Sequence, residues 1–138
     1  MAHSKFQVEV LTPEGEVFKD EVEMVSTFTA EGSIGVLANH APILAILEPT
    51  ELRLYRSEGD IVHFAQAEGY MQVGHNHVLV LVEEAYEPSA LNVEELRERL
   101  SGAEHEVEQS EEDSERRRAA ERAQRRIEVF LEIASSSG

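Results

Sequence analysis

HVLVLVEEAYEPSALNVEELRERL, residues 77 to 100, joins two kinds of sequence at Pro88. Val78 to Val82 is an unbroken valine and leucine run, far short of the roughly 20 residues a membrane helix requires, and it reads as a strand. Past Pro88 the spacing changes. Leu96 and Leu100, followed by Ala103 and Val107, recur at intervals of four, three and four, which places them on one face of a helix. Asn92 can cap that helix, with Glu95 returning to its backbone. The change of pattern predicts two domains, a β-domain over residues 1–87 and a helical hairpin over residues 88–138.

Upstream of Val78 the chain is a series of short strands and turns. Phe6, Val8 and Val10 alternate with Gln7 and Glu9, so one face of a strand is apolar. Thr12-Pro13-Glu14-Gly15 supplies a proline that presets φ and a glycine that tolerates positive φ, and it reverses the chain. Turn signals recur at Glu31-Gly32, Ser57 to Asp60, Glu68-Gly69 and Gly74 to Asn76. Val22 to Val25 reads as a further strand. Leu52 to Arg56 is expected to pair with Ile61 to Gln66, and the latter with Tyr70 to Val73 and His77 to Val82 as a meander. This spacing predicts an antiparallel β-sandwich or flattened barrel.

Downstream of Leu100, Gly102 is where a kink or early end would form, since glycine in a helix costs about 1 kcal/mol relative to alanine. Ser110 is the predicted cap of a second helix, with Glu111, Glu112 and Asp113 in its first turn. Ala120, Ala123, Ile127, Phe130, Leu131 and Ala134 continue the apolar stripe, and the short link makes the two helices an antiparallel hairpin. The stripes are thin. At about 25 cal/mol per Å² a few hundred Å² of apolar contact gives several kcal/mol before costs, so a competing partner can displace such a hairpin. A permanently docked hairpin that covers the sandwich is the other reading.

The chain has 138 residues, 41% of them hydrophobic and 29% charged, with no cysteine and a formal net charge of −16. One modest core fits that length, and the composition fits a soluble protein in a reducing compartment without disulfides. No leader or membrane-spanning segment is expected. Nucleic acid and acidic membrane surfaces are poor partners for so negative a chain. The charge is uneven, with 15 acidic and 4 basic residues up to Pro88, and 13 acidic and 8 basic residues, all arginine, from Ser89 onward.

Candidate chemistry is sparse. His75 and His77 are two apart and would share a face in a strand, and His63 is a third imidazole. No cysteine and no HExxH spacing accompanies them, so solvent-exposed imidazoles are the preferred reading and no metal is expected. Glu83, Glu84 and Glu87 read as a solvated edge, not an acid–base pair. Gly32-Ser33-Ile34-Gly35 lacks the lysine and the full spacing of a phosphate loop. No catalytic residue is assigned, and the chain is expected not to be an enzyme.

Glu31-Gly32-Ser33-Ile34-Gly35-Val36-Leu37-Ala38-Asn39-His40-Ala41-Pro42, with Leu52-Arg53 downstream, follows the pattern GxxGxLxxHxP. With the opening strand and its Thr-Pro-Glu-Gly turn, the Val22 to Val25 segment and Gly69, it resembles the epsilon subunit of F-type ATP synthases, called delta in mitochondria. The likeness extends over essentially the whole chain. It implies a non-catalytic rotor subunit of the central stalk, which binds the gamma subunit, rests on the ring of c subunits and couples proton flow to ATP synthesis. His40 would lie near gamma, and the turn at Glu31, Gly32 and Ser33 would face the c ring. Many relatives carry an acidic residue where this chain has Ser33, and Glu31 is the substitute beside it. The alternative for His40 is a corner histidine satisfied by backbone groups. Membrane association would run only through the complex, as a peripheral part of the F1 sector on the cytoplasmic face.

Arg116 to Arg126 is a basic stretch in an acidic protein. On a helix Arg118, Arg122 and Arg125 or Arg126 share a face and, with Arg116, can present planar donors to carboxylates. Those carboxylates are either external or internal, from Glu104, Glu108, Glu111 and Glu115. The resemblance implies an external one, an acidic segment of the beta subunits, met when the hairpin extends and inhibits ATP hydrolysis. It also implies a test for ATP, which some relatives bind in the hairpin through [IL]DxxRA. Here the segment reads Leu91-Asn92-Val93-Glu94-Glu95-Leu96, so no nucleotide or other cofactor is expected, and Arg122 and Arg126 are only weak candidates. A freestanding β-sandwich interaction module with a helical dimerisation tail is the alternative function, and a metal enzyme using His75 and His77 comes third.

Overall fold

The computed structural model describes residues 4–136, so residues 1–3 and 137–138, the ends of the two expected domains, lie outside the described residues. Among those described, ten strands come first and two α-helices last, and the chain divides into two compact units between Glu87 and Pro88. The strands are β1 (Phe6–Thr12), β2 (Gly15–Val22), β3 (Met24–Thr29), β4 (Gly32–Leu37), β5 (Ile43–Leu47), β6 (Thr50–Ser57), β7 (Asp60–Gln66), β8 (Gly69–Gly74), β9 (His77–Val82) and β10 (Ala85–Tyr86).

Backbone pairing runs β10-β7-β6-β3-β5-β8-β9-β1-β2, with β4 added beside β3. Thr29 with Leu47 is the single register pair between β3 and β5. The strands therefore form two five-stranded leaves, β2-β1-β9-β8-β5 and β4-β3-β6-β7-β10, facing each other across one core. Val8, Val10, Val25, Leu52, Leu54, Met71 and Val80 are fully buried there. Phe18 of the first leaf meets Phe64 of the second edge-on, with ring centroids 6.2 Å apart.

The β-sandwich is the one expected, with two departures. The meander is broken: β8 and β9 pair, but β7 pairs with β6 and β10, and β8 with β5. Glu68-Gly69 carries the chain from one leaf to the other, which a turn signal alone does not distinguish from a hairpin. Val22 to Val25 is not one strand either. β2 ends at Val22 and β3 begins at Met24, and Glu23 N–H donates to the Tyr55 carbonyl at 2.6 Å. Crossing between leaves lets Val22 and Val25 both point inward. One parallel pair, β1 with β9, stands among otherwise antiparallel pairings of the described strands.

Polar contacts fix the crossovers. Gln66 is fully buried, and its Nε2 donates to the Glu48 carbonyl at 2.9 Å where β5 passes into β6. Arg56 of β6 reaches Asp60 at 3.0 Å and Asp20 of β2 at 3.6 Å, closing the outer strand of one leaf onto the other.

In the second unit a short 3-10 turn, Pro88–Ala90, precedes α1 (Val93–Gln109) and α2 (Glu115–Ser136), which pack against each other. Asn92 caps α1, its side chain accepting from Glu95 N–H at 3.0 Å. Gly102 does not interrupt α1. Ser110 does not cap α2. Its hydroxyl turns back to the Glu106 and Val107 carbonyls and closes α1, while Asp113 takes φ +60° and Ser114 accepts from Arg117 N–H at 3.1 Å. Ser114 is thus the cap, and Glu111 to Asp113 form the link instead of the first turn. The buried side chains of α2 are Ala120, Ile127, Phe130 and Ile133. Leu131 and Ala134 are only half-buried, and Ile133 belongs to the stripe in their place.

Candidate functional site

The turn expected to face a partner is built by a motif the chain uses twice. In Thr29-Ala30-Glu31-Gly32 the Thr29 hydroxyl accepts from Glu31 N–H at 3.1 Å and donates to the Gly32 carbonyl at 2.9 Å. Thr12-Pro13-Glu14-Gly15 repeats both bonds at 3.2 and 3.3 Å. Gly32 and Gly15 have φ of 124° and 130°, open to glycine alone at little cost. Each turn is locally determined, and each holds a glutamate at an exposed tip. Ala30 N–H also donates to the Ile46 carbonyl at 2.9 Å, so the Glu31 turn is tied to β5.

His40 lies past the other end of β4. Asn39 adopts φ 64°, His40 N–H donates to the Leu37 carbonyl at 3.2 Å, and Nδ1 lies 2.6 Å from the Ala41 carbonyl. A carbonyl only accepts, so Nδ1 carries a proton in this contact. Both the His40 N–H and its Nδ1 thus have backbone partners. Glu31, Gly32 and Ser33 sit together, but β4 lies between them and His40, setting them roughly 15 Å apart at about 3.3 Å per residue.

Sequence reasoning missed a surface beside this turn. Ile43 to Leu47 alternates, with Ile43, Ala45 and Leu47 turned toward the core and Leu44 and Ile46 turned outward. Leu44 is 72% exposed, Ile46 59%, Tyr70 55% and Leu81 43%. Register puts Ile46 opposite Tyr70, and Tyr70 opposite Leu81, so the last three form one row across β5, β8 and β9. Leu44 stands in the next row of the same face. The signal was present: a strand apolar on both faces has two faces to cover, and the core covers one. A contiguous exposed apolar patch of this kind marks an interaction surface.

On the hairpin the arginines are engaged internally. Arg116 pairs with Glu106 across the two helices. Arg118 and Arg122 share Glu115, at 3.3 and 3.0 Å, and Arg118 also donates to the Asp113 carbonyl at 2.9 Å. The Arg116 hydrogen bond holds the Glu106 carboxyl below its usual range, and Arg122 and Arg118 do the same for Glu115. Of the acids expected as partners Glu115 is used, and Glu106, two residues from both Glu104 and Glu108 and so on another side of the helix, is the one that meets Arg116 of α2. Arg125 and Arg126 continue α2 beyond Arg122, and they too have interactions of their own. These pairs lie in solvent, where an ion pair contributes little and exchanges readily.

The remaining candidates are dispersed. Asn92 is occupied as a helix cap and Leu96 is buried, so the positions compared with the nucleotide motif serve the fold of α1. His63 lies 3.2 Å from Glu51, and His77 lies 3.7 Å from Glu9 on another leaf. His75 is in the exposed turn beside Asn76, which has φ 52°. Among the described residues no three His, Cys, Asp or Glu side chains gather as metal ligands, and no helix is long and apolar enough to cross a membrane.

Comparison with known proteins follows the same outline. The family described as ATP synthase, Delta/Epsilon chain, beta-sandwich domain matches residues 5–88. An ATP synthase epsilon chain of Persephonella marina is 39% identical over 130 residues, covering 94% of this chain and 96% of the relative. One of Rubrobacter xylanophilus is 38% identical over 122 residues, covering 87% and 83%. Among solved structures, a chain of the Euglena gracilis mitochondrial ATP synthase (OSCP/F1/c-ring) superposes with a TM-score of 0.74 at 22% identity, covering 95% of this chain and 81% of its own. A sandwich matched over its full span, a two-helix tail, and relatives that align through both carry one conclusion: the chain belongs to the ATP synthase delta/epsilon family.

Proposed function

We propose that the chain is the non-catalytic epsilon subunit of a proton-translocating F1Fo ATP synthase, a rotor part of the central stalk that links gamma to the c ring. The observation that carries the reading is the apolar face of Leu44, Ile46, Tyr70 and Leu81, which a chain acting alone has no reason to expose. Gamma is assigned to that face and to His40, and the c ring to the turn at Glu31, Gly32 and Ser33. The hairpin is assigned inhibition of ATP hydrolysis: when the helices part, Arg116, Arg118, Arg122, Arg125 and Arg126 exchange their internal partners for an acidic segment of the beta subunits. Weak solvent-exposed pairs favour such an exchange. The folded hairpin holds three of its arginines without a nucleotide, Arg116 on Glu106 and Arg118 and Arg122 on Glu115. Attachment to the membrane, at its cytoplasmic face, runs through the complex.

The test is ATPase activity of a cognate α3β3γ complex lacking this subunit, with the full chain or a truncation ending at Glu87 added. Binding by both with inhibition by the full chain alone supports the two-part reading. Binding without inhibition removes the hairpin's assigned role, and absence of binding removes the rotor reading. Stable self-association through the helices without affinity for gamma would instead support the freestanding interaction module.

A further inference from the structure

We infer that the free edge of β4 receives an extended segment of the gamma subunit as an added strand beside Ser33, Gly35 and Leu37. The inference rests on the rotor reading above, in which gamma meets His40 just past the end of β4. Among the described residues β4 pairs with β3 alone. The Phe28 carbonyl accepts from Glu48 N–H at 3.2 Å and Ala30 N–H donates to the Ile46 carbonyl, so residues 28 and 30 turn their peptide groups away from β4. By the alternation of an antiparallel ladder Ser26 and Met24 do likewise, and their β4 partners Ser33, Gly35 and Leu37 point outward. His40 N–H takes the Leu37 carbonyl. The N–H and C=O of Ser33 and Gly35 and the N–H of Leu37 have no partner among the described residues, and all three residues are exposed.

Of the other outer strands, β5 is joined to β3 at its end and two are guarded. β2 carries Glu16, Lys19, Asp20 and Glu21, and β10 is two residues long, both devices that discourage strand addition. β4, Gly-Ser-Ile-Gly-Val-Leu, has neither charge nor proline.

Gly35 is the second observation. A Cβ there would meet only Met24 Sδ, at 3.9 Å, and its φ is not positive, so the fold of this chain does not require glycine at that position. Glycine inside a strand weakens it and is found at bulges, at tight bends or where another backbone approaches closely, and the β3–β4 register runs through Gly35 without a bulge. Its missing side chain leaves a gap on the outer face, ringed by Met24 and the exposed Phe28 and Leu37. The fitting occupant is an extended segment with an apolar side chain over Gly35. A second copy fits poorly, since two chains of net charge −16 repel. His40 N–H bonds to the Leu37 carbonyl, so the edge runs directly into the His40 corner assigned to gamma, and one partner can cover both.

The experiment compares amide hydrogen exchange of the full chain, alone and bound to gamma, with gamma affinity of Gly35→Val. The amides of Ser33, Gly35 and Leu37 are expected to exchange fast in the free chain and at least about tenfold more slowly in the complex. Gly35→Val is expected to keep the thermal midpoint of the free chain and to bind gamma about tenfold more weakly by filling the gap. If the wild type binds gamma while these amides stay unprotected and Gly35→Val binds equally well, strand addition is wrong and the rotor reading stands. If the wild type does not bind gamma, both are wrong.

Discussion

A methyl group at Gly69 would lie 2.0 Å from the Leu81 carbonyl oxygen and 2.8 Å from Val82 Cα, both backbone atoms of the neighbouring strand. Neither can move without opening the β8–β9 ladder. Gly69→Ala is therefore expected to destabilise the β-unit by about 3 kcal/mol, at the upper end for overpacking, read from the urea midpoint of the free chain. Glu51 governs a milder effect. Burial acts to raise its pKa, but hydrogen bonds from Arg53 at 2.6 Å and His63 at 3.2 Å outweigh it and hold the carboxyl below its ordinary 4.5. A carboxylate whose folded pKa is depressed contributes stability above the ordinary value, and that contribution is lost as pH falls through the folded one. Glu51→Gln should narrow the loss of stability between about pH 5 and about pH 3, and a parallel pair of urea midpoint curves would show that the trio contributes nothing.

At the scale of elements, what the sequence alone reveals follows from how local each decision is. The Thr-x-Glu-Gly turns form from their own side chains, and the alternation of Phe6, Val8 and Val10 marks β1 without help from neighbours. The order of strands depends on which leaf a turn leads to, so the meander was misread although every strand in it exists. Helix caps show the same limit. Ser110 and Ser114 stand four apart with three acidic residues between, each a reasonable cap, and the choice falls to Ser114 because Asp113 takes a left-handed conformation. Ser114→Ala should fray the start of α2 and cost about 1 kcal/mol, while a serine that closes α1 from its far end has no such role in α2. Amide exchange across residues 115–118 separates the two: faster there for Ser114→Ala, unchanged for Ser110→Ala. Equal effects would mean that the link acts as one unit.

At the scale of the whole molecule, the site was half legible. The Glu31 turn and the arginine row could be read from residue types, whereas Leu44, Ile46, Tyr70 and Leu81 come together only through strand register. Their four positions are spread over residues 44 to 81, and three strands must pair before they adjoin. The hairpin raises a different question, because its proposed inhibition depends on how much the folded arm must lose before it opens. Phe130 is fully buried, and Phe130→Ala should remove about 3 to 5 kcal/mol from the folded hairpin while leaving the separate β-unit intact. A change of that size moves a two-state equilibrium by a factor of at least about a hundred. If the folded arm is the uninhibited state, the variant should therefore inhibit ATP hydrolysis by the α3β3γ complex at lower occupancy than the wild type does. Gamma affinity, measured alongside, should stay unchanged. Inhibition equal to the wild type at equal occupancy would mean that the arm acts without opening, and the arginines would then meet the beta subunits from the folded hairpin.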